Sequence, residues 1–215
     1  MNLPQYFNNS ILSCQKCNEN KNISSYITFN KLPPYIGENQ TNVLILGHSP
    51  KVRTLTSISV TLDLNQNNNL SKYINKDILF PLGISIKECI ATNIVKCLTT
   101  KMPEDLKISG KPFMETVFLF CKYHFIEEIN IIKPKLIISL SETVSNLLQK
   151  EFGLNGKIER MQEIFATIRS LKIDNLIYPW IPVVHIPTPK VRAHYFPEQS
   201  RRLKELSNNI NKIIS

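Results

Sequence analysis

The chain has 215 residues, and 42% of them are apolar, enough to bury the core of one domain over residues 1–215. Lysine and arginine number 26 against 17 aspartates and glutamates; this formal net charge of +9 favours a polyanionic partner such as nucleic acid, although a solvated basic surface has the same composition. No stretch reaches the roughly 18 apolar residues that span a bilayer, and the N-terminus lacks the pattern of a secretory signal, so we expect a cytoplasmic protein without a membrane partner.

β-rich apolar runs alternate along the chain with segments of helical spacing. These patterns predict strands over 42–46, 90–95 and 135–140 and a short strand bracketed by prolines over 181–186. They predict helices over 70–79, 115–132, 142–152 and 198–214. The alternation favours a three-layer α/β/α sandwich with a short central parallel sheet. Ligands of such folds bind beyond the carboxyl ends of the strands, so residues 47–53, 93–97 and 185–192 should lie near one edge.

Four of the five cysteines are candidate metal ligands. Cys14 and Cys17 form a C-x-x-C pair, Cys97 follows the strand predicted over 90–95, and Cys121 lies in the next predicted helix. Four thiolates suit either zinc or an iron–sulfur cluster, and spacing alone does not choose between them. Cys97 and Cys121 as ordinary buried thiols are the alternative. We interpret Cys89, beside an apolar run, as a core thiol.

The motifs along the chain, in order, are Cys14-Gln-Lys-Cys17, Gly47-His-Ser-Pro50, Thr92-Asn-Ile-Val-Lys-Cys97, Cys121 and Pro134-Lys-Leu-Ile-Ile138. Their order and spacing resemble the iron–sulfur (family 4-like) uracil-DNA glycosylases over nearly the whole chain. The resemblance implies a central parallel sheet flanked by helices and a base pocket at the sheet's edge. It also implies a structural 4Fe-4S cluster that ties residues 1–40 to the core, with zinc as the alternative occupant. The implied ligands are Cys14, Cys17, Cys97 and Cys121.

The resemblance assigns two residues to the flipped base. Asn93 falls at the family's base-reading asparagine, whose amide donates to one edge atom and accepts from its neighbour. His185 falls at the histidine that hydrogen-bonds the base as negative charge develops on it. This chain reads His185-Ile-Pro-Thr-Pro189 where the family reads His-Pro-Ser or His-Pro-Ala. A strand-end asparagine that caps its own backbone and a structural histidine are the alternatives.

The first turn departs further from the family. Gly47 and Pro50 keep its outline and are expected to line the base, but His48 and Ser49 stand where related enzymes carry an acidic or amide residue. Ser49 and backbone groups would then hold the attacking water, and His48 would accept a proton or contact an unusual base. The family's aromatic block is missing, which leaves Tyr73 and Phe80 as candidates for stacking on the base.

Basic residues flank the two predicted pocket turns. They are expected to grip the phosphates beside the flipped nucleotide, and they are Lys51, Arg53, Lys190 and Arg192. The block His194-Tyr-Phe196 either supplies a wedge that fills the vacated stack or docks the C-terminal helix.

These assignments predict a monofunctional, monomeric DNA glycosylase that leaves an abasic site after hydrolysing the N-glycosidic bond of uracil or another damaged or modified pyrimidine. A bulky modified base of foreign (phage) DNA is included, so repair and antiviral defence are both open roles. No lysine stands at a pocket position for a Schiff base, so we expect no lyase step. The alternatives are a catalytically inactive iron–sulfur DNA-binding protein of the same fold and a zinc-stabilised nucleic-acid-binding protein.

Overall fold

The computed structural model describes residues 1–39, 42–49, 60–100, 107–108, 111–154, 156–185 and 189–214; for residues 29, 107, 108, 111 and 189–194 it describes the backbone alone. The α-helices in this part of the chain are α1 (Leu3–Tyr6), α2 (Lys21–Ser24), α3 (Asn69–Tyr73), α4 (Phe80–Leu82), α5 (Phe113–Ile132), α6 (Glu142–Phe152), α7 (Met161–Ile164) and α8 (Pro189–Ile214). The strands are β1 (Ile27–Lys31), β2 (Tyr35–Ile36), β3 (Val43–Gly47), β4 (Cys89–Asn93), β5 (Cys97–Thr99), β6 (Lys107–Ile108), β7 (Lys111–Pro112), β8 (Leu136–Leu140), β9 (Arg169–Ile173) and β10 (Leu176–Val183).

A six-stranded sheet with the order β2-β4-β3-β8-β10-β9 organises the molecule. Its four central strands are parallel, as the apolar runs predict, but β2 and β9 pair antiparallel at the two edges, so the sheet is mixed rather than purely parallel. The antiparallel edge at β9 arises from a two-residue hairpin, because Asp174 and Asn175 both adopt positive φ angles, 46° and 68°.

The last central strand is longer than its prolines indicate. Pro182 accepts a hydrogen bond from Ala166 on the β9 side, so its nitrogen faces that side too, beyond the last β9 pair at Trp180. Pro179, three residues earlier, faces the β8 side, where pairing begins only at Trp180. Neither proline therefore removes a ladder hydrogen bond, and β10 extends back to Leu176.

Helices α5 and α6 lie where the helical spacing predicts them, whereas two other predicted helices differ. The helix predicted over 70–79 is a composite of α3, the π-helical turn Ile74–Leu79 and α4. Helix α8 begins at Pro189 and runs through Pro197, so a start at residue 198 is wrong. A proline lacks the N–H for one intrahelical bond but does not have to end a long helix.

Strands β3, β4 and β8 are buried at every residue, as expected of strands covered on both faces. The covering helices form two groups: α5 packs with α6, and α4 packs with α8. The N-terminal segment is joined to this core by two strand pairings, β1 with β5 and β2 with β4. In the described ranges, none of the helices has the length and apolar character needed to cross a membrane.

Candidate functional site

The carboxyl ends of the parallel strands form the candidate site. The chain leaves β3 towards β4 but leaves β8 towards β10, in the opposite direction, which puts the topological switch point between β3 and β8. In open α/β sheets ligands bind in the crevice at such a point. Gly47, Asn93 and His185 all lie at this edge, as predicted, at or just beyond the ends of β3, β4 and β10.

Gly47 and Asn93 are direct neighbours in the β3–β4 ladder. A Cβ atom on Gly47 would meet Asn93 Oδ1 at 2.3 Å and Leu62 Cδ1 at 2.8 Å. Only glycine therefore lets the carboxamide of Asn93 and the side chain of Leu62 approach the end of β3. Leu62 reaches this position with a φ of 49°, a left-handed conformation that is unusual for a leucine. These three residues form the most closely assembled part of the site.

The backbone around Asn93 is fixed on both sides of the following peptide bond. The Asn93 carbonyl accepts a hydrogen bond from Lys96 Nζ at 2.6 Å, and the N–H of Ile94 donates to the Gly47 carbonyl at 2.9 Å. Within the described part of the chain, Asn93 forms its hydrogen bonds through its backbone. Its side chain therefore does not cap its own backbone there. Asn93 as a whole is 5% exposed, so its carboxamide lies almost entirely within the protein beside Gly47.

The first turn after β3 lies beside the turn after β4. The His48 carbonyl accepts a hydrogen bond from the N–H of Val95 at 3.1 Å, which ties the two turns together. The Ser49 hydroxyl is 3.5 Å from the Thr99 hydroxyl of β5, so it faces that strand. Pro50, Lys51 and Arg53 lie outside the described residues. For Lys190 and Arg192 the backbone belongs to α8, and their side chains are not described.

His185 follows β10 and is exposed. Three strand spacings, about 14 Å, separate β10 from β4, so His185 lies across the ends of β8 and β3 from Asn93 and does not contact it. The residue before it is held by a closed ring of hydrogen bonds. The Val184 N–H donates to Gln199 Oε1 at 2.8 Å, Gln199 Nε2 donates to the Tyr73 hydroxyl at 2.8 Å, and that hydroxyl donates to the Val184 carbonyl.

Most of the aromatic residues proposed to stack on the base or to act as a wedge have contacts within the protein instead. Tyr73 is 5% exposed and belongs to the hydrogen-bonded ring at Val184, so it is not available to stack on a base. Tyr195 packs edge-on against Phe165 with ring centroids 5.7 Å apart, and Phe196 packs against Tyr73. These contacts dock α8 on the core, which favours the docking interpretation over a wedge. Phe80 is 80% exposed and stays an untested candidate.

Three of the predicted cysteine ligands come together from different elements. The Cys17 thiol hydrogen-bonds both Cys121 of α5 and Cys97 of β5, and all three are buried. Cys14 is half-buried one turn earlier, and Lys31 Nζ donates to its carbonyl at 2.8 Å. The thiols contact one another instead of surrounding a common point. Among the described residues, no group of three or more histidine, cysteine or acidic side chains is arranged to hold a metal ion.

The three buried thiols shift one another's pKa values in opposite directions. The hydrogen bond from Cys17 lowers the pKa of Cys97 to about 7, with the nearby Lys31 ammonium acting in the same direction. The same donor lowers the pKa of Cys121, while sharing its proton with Cys121 and Cys97 raises the pKa of Cys17. Thiolates crowded in a buried place repel one another unless a cation neutralises them. A soft metal cation is the kind of charge that thiolate ligands prefer.

Cys89 is the fifth cysteine and lies in the hydrophobic core, as predicted. It is fully buried at the start of β4, its thiol donates to the Ser85 carbonyl at 3.4 Å, and burial raises its pKa to about 12.

A buried polar network lies between the cysteines and Asn93. Lys96 Nζ donates to Thr92 Oγ1 at 3.1 Å, to the Asn93 carbonyl, and to Glu128 of α5. Burial raises the pKa of Glu128, and the Lys96 charge offsets part of that rise. Beside it, the Tyr6 hydroxyl and His124 Nδ1 are hydrogen-bonded at 2.8 Å, and burial lowers the pKa of His124 to about 4.

Sequence reasoning missed Lys96, Glu128 and Leu62. The Lys-Cys pair at the end of the Thr92–Cys97 motif was a signal for Lys96, since a lysine beside a buried strand needs a partner. Glu128 carried no signal, because its partner lies 32 residues away in sequence. A leucine in the sequence gives no sign of a left-handed φ, so only the structure reveals the conformation of Leu62.

Comparison with known proteins adds no relatives: no protein-family model matches the chain, and no curated protein matches it.

Proposed function

We propose that the protein is a DNA glycosylase that hydrolyses the N-glycosidic bond of uracil or another modified pyrimidine. The observation that carries the proposal is the assembly at the sheet edge. A carboxamide at the end of β4 lies against a glycine at the end of β3, with its backbone fixed on both sides. An exposed histidine follows β10 at the same edge, across the switch point. The parallel core with helices packed on it is also what the glycosylase resemblance implies.

In this proposal each group has a chemical task. The Asn93 amide donates to one atom and accepts from its neighbour on the Watson–Crick edge of the flipped base. His185 donates a hydrogen bond to the base oxygen where negative charge develops as the glycosidic bond breaks. Leu62 supplies an aliphatic wall beside the carboxamide in place of the family's aromatic residue. Ser49 and backbone groups of the first turn position water, and His48 is the nearby proton acceptor.

The cysteine site is proposed to hold a 4Fe-4S cluster, for which Cys14, Cys17, Cys97 and Cys121 would be the ligands. Four cysteines on one turn, one strand and one helix supply the thiolate set that such a cluster requires. When bound, the cluster would join these segments and neutralise their charge. Lys31 would orient the 12–14 turn through its bonds to the Leu12 and Cys14 carbonyls. Zinc is the alternative occupant, and iron, sulfide and zinc analysis of anaerobically purified protein distinguishes the two.

The departure of the first turn favours a second candidate. Gly47 to Pro50 contains no carboxylate to activate water, which supports a DNA-binding protein of the same kind without catalysis. The two candidates share the fold, the DNA partner and the cysteine site, so they differ in the formation of product.

The test is an excision assay with labelled oligonucleotides that contain uracil, other damaged pyrimidines or bulky modified cytosines, followed by alkaline cleavage of abasic sites. The proposal predicts scission at one class of base, with large losses in Asn93→Ala and His185→Ala. Asn130→Ala, which removes an exposed amide bonded to Asp174 far from this edge, is the matched control and should keep full activity. Tight binding with no abasic product on any oligonucleotide would favour the non-catalytic candidate.

A further inference from the structure

Lys96 carries the strongest unassigned feature of the molecule. Its side chain is 6% exposed, and its ammonium donates to three acceptors, Thr92 Oγ1, the Asn93 carbonyl and Glu128 Oε2. An ammonium has three protons, so these acceptors satisfy it completely. Glu128 is 1% exposed, which makes this a fully buried ion pair between the turn after β4 and helix α5.

Stability alone does not account for this ion pair. Removing two charges from water costs several kcal/mol per ion, about as much as their attraction returns, and apolar side chains of similar volume often serve as well or better. The ion pair does fix the orientation of the Lys96 ammonium, because a buried ammonium with three fixed acceptors has one orientation. One of these acceptors, at 2.6 Å, is the carbonyl of Asn93.

This contact completes the fixation of the peptide bond after Asn93. The carbonyl of that peptide is held by Lys96, and its N–H, which belongs to Ile94, is held by the Gly47 carbonyl at 2.9 Å. With both sides of the peptide bound, the Cα–Cβ direction of Asn93 is set, and so is the path of its carboxamide over Gly47. The backbone N–H of Lys96 also bonds Cys121, so one residue contacts both the cysteine site and the base-reading turn.

We propose that Lys96, held by Glu128, is a positioning residue that fixes the Asn93 carboxamide for reading the base. The substrate side of this inference rests on the proposed glycosylase function, whereas the positioning itself is a property of the fold. Lys96 acts through Asn93 and does not touch the reacting atoms.

The test variant is Lys96→Met/Glu128→Met. Either substitution alone leaves one buried charge without its partner and endangers folding, while the double change removes both charges with side chains of similar length. The matched control is Lys122→Met/Glu151→Met, which removes a second ion pair of α5, 2.7 Å long, that reaches α6 instead of the Asn93 turn. Glu128→Gln is the conservative variant, because a glutamine oxygen still accepts from Lys96.

The first readout needs no substrate. Hydrogen exchange should show loss of protection at the Ile94 and Val95 amides in the double variant, with the β3–β8 ladder unchanged. The control pair and Glu128→Gln should keep the protection. Unchanged protection at Ile94 in the double variant would overturn the positioning role, whether or not the protein proves to be an enzyme.

The second readout is a mutant cycle on excision. A misplacement of about 1 Å can cost about 100-fold in rate, so the double variant should lose about that factor in kcat with DNA affinity retained. In an Asn93→Ala background the same double change should cost almost nothing further, because the group it positions is gone. Losses that add in full would overturn the proposal. If the wild type excised no base but the double variant lost exchange protection as predicted, the proposed function would be contradicted and the positioning role of Lys96 would still be supported.

Discussion

At the scale of single residues, Gly47 sets how closely the Asn93 carboxamide can approach the sheet. We predict that Gly47→Ala abolishes most base excision while changing the free energy of unfolding little. The new Cβ would meet Asn93 Oδ1 at 2.3 Å and Leu62 Cδ1 at 2.8 Å, and both are ends of side chains that can rotate away. Rotation preserves the fold but removes the amide from its reading position. Excision kinetics and denaturant titration measure the two effects separately.

Gly156→Ala is the control for this substitution. Gly156 has a φ of 61° with open space around its Cβ position, so alanine there costs backbone strain alone. It should lower stability by about 1 kcal/mol and leave excision unchanged. If Gly47→Ala were as active as Gly156→Ala, the placement of the carboxamide against Gly47 would have no bearing on activity.

Single residues also show where sequence reasoning stops. Asn93, His185 and Gly47 were predicted at one edge because each ends or follows an apolar run, and parallel strands bring such ends together. The partners that hold them were not predictable. Lys96 meets Glu128 and Tyr73 meets Val184 only after helices pack on the sheet, and those contacts join residues 32 and 111 positions apart.

At the scale of elements, the start of α6 contains a strained residue. Ser141, between β8 and α6, has φ 97° and ψ 154°, a region adopted almost only by glycine, at a cost of about 1–3 kcal/mol. Its hydroxyl caps the helix by accepting from Val144 N–H, but glycine is only a few tenths of a kcal/mol poorer as an N-cap. We predict that Ser141→Gly raises the free energy of unfolding by about 1 kcal/mol.

Ser141→Ala separates strain from capping. Alanine keeps the backbone strain and loses the cap, so it should destabilise the protein by about 1 kcal/mol. Denaturant midpoints of the two variants and the wild type give the comparison. A glycine variant no more stable than the alanine variant would show that the backbone at Ser141 is not strained.

The end of β10 is positioned by two helices. Tyr73 of α3 and Gln199 of α8 bind both polar groups of Val184, the residue before His185. We predict that Tyr73→Phe lowers kcat for excision by about tenfold or more and leaves DNA affinity almost unchanged, since it removes two hydrogen bonds of the ring before His185 and no charge. The rates of Tyr73→Phe and of Tyr178→Phe, a buried tyrosine of β10 remote from this turn, should differ. Equal rates would contradict a positioning role for the ring of bonds.

The predictability of the elements follows from their patterns. Local sequence periodicity predicts strands β3, β4 and β8 and helices α5 and α6 correctly. Strand β10 and helix α8 both begin earlier than the strand predicted over 181–186 and the helix predicted over 198–214, because neither Pro179 nor Pro197 interrupts them. Whether a proline interrupts a strand depends on which neighbour its nitrogen faces, and that is settled by the sheet.

At the scale of the whole molecule, stability should depend on the buried His124. Burial holds the pKa of His124 near 4, whereas an unfolded histidine titrates near 6.5. Between these values the unfolded chain binds a proton that the folded protein does not, so the free energy of unfolding decreases as the pH falls from about 6.5 to about 4. The slope from this group reaches at most about 1.4 kcal/mol per pH unit.

His124→Gln tests this dependence, since glutamine can accept from the Tyr6 hydroxyl but does not titrate. Denaturant titrations at several pH values from 7 to 4 should show a smaller loss of stability in the variant than in the wild type. The same slope in both proteins would mean that His124 takes up its proton without unfolding.

The central proposal is that this edge of the sheet releases a base from DNA. The most direct measurement is mass spectrometry of the free bases released when the protein acts on DNA that carries uracil or modified pyrimidines. We predict one free pyrimidine, in amounts equal to the abasic sites formed, and almost none with the Asn93→Ala variant. A protein that binds these DNAs and releases no base, or releases it equally well without Asn93, would contradict it.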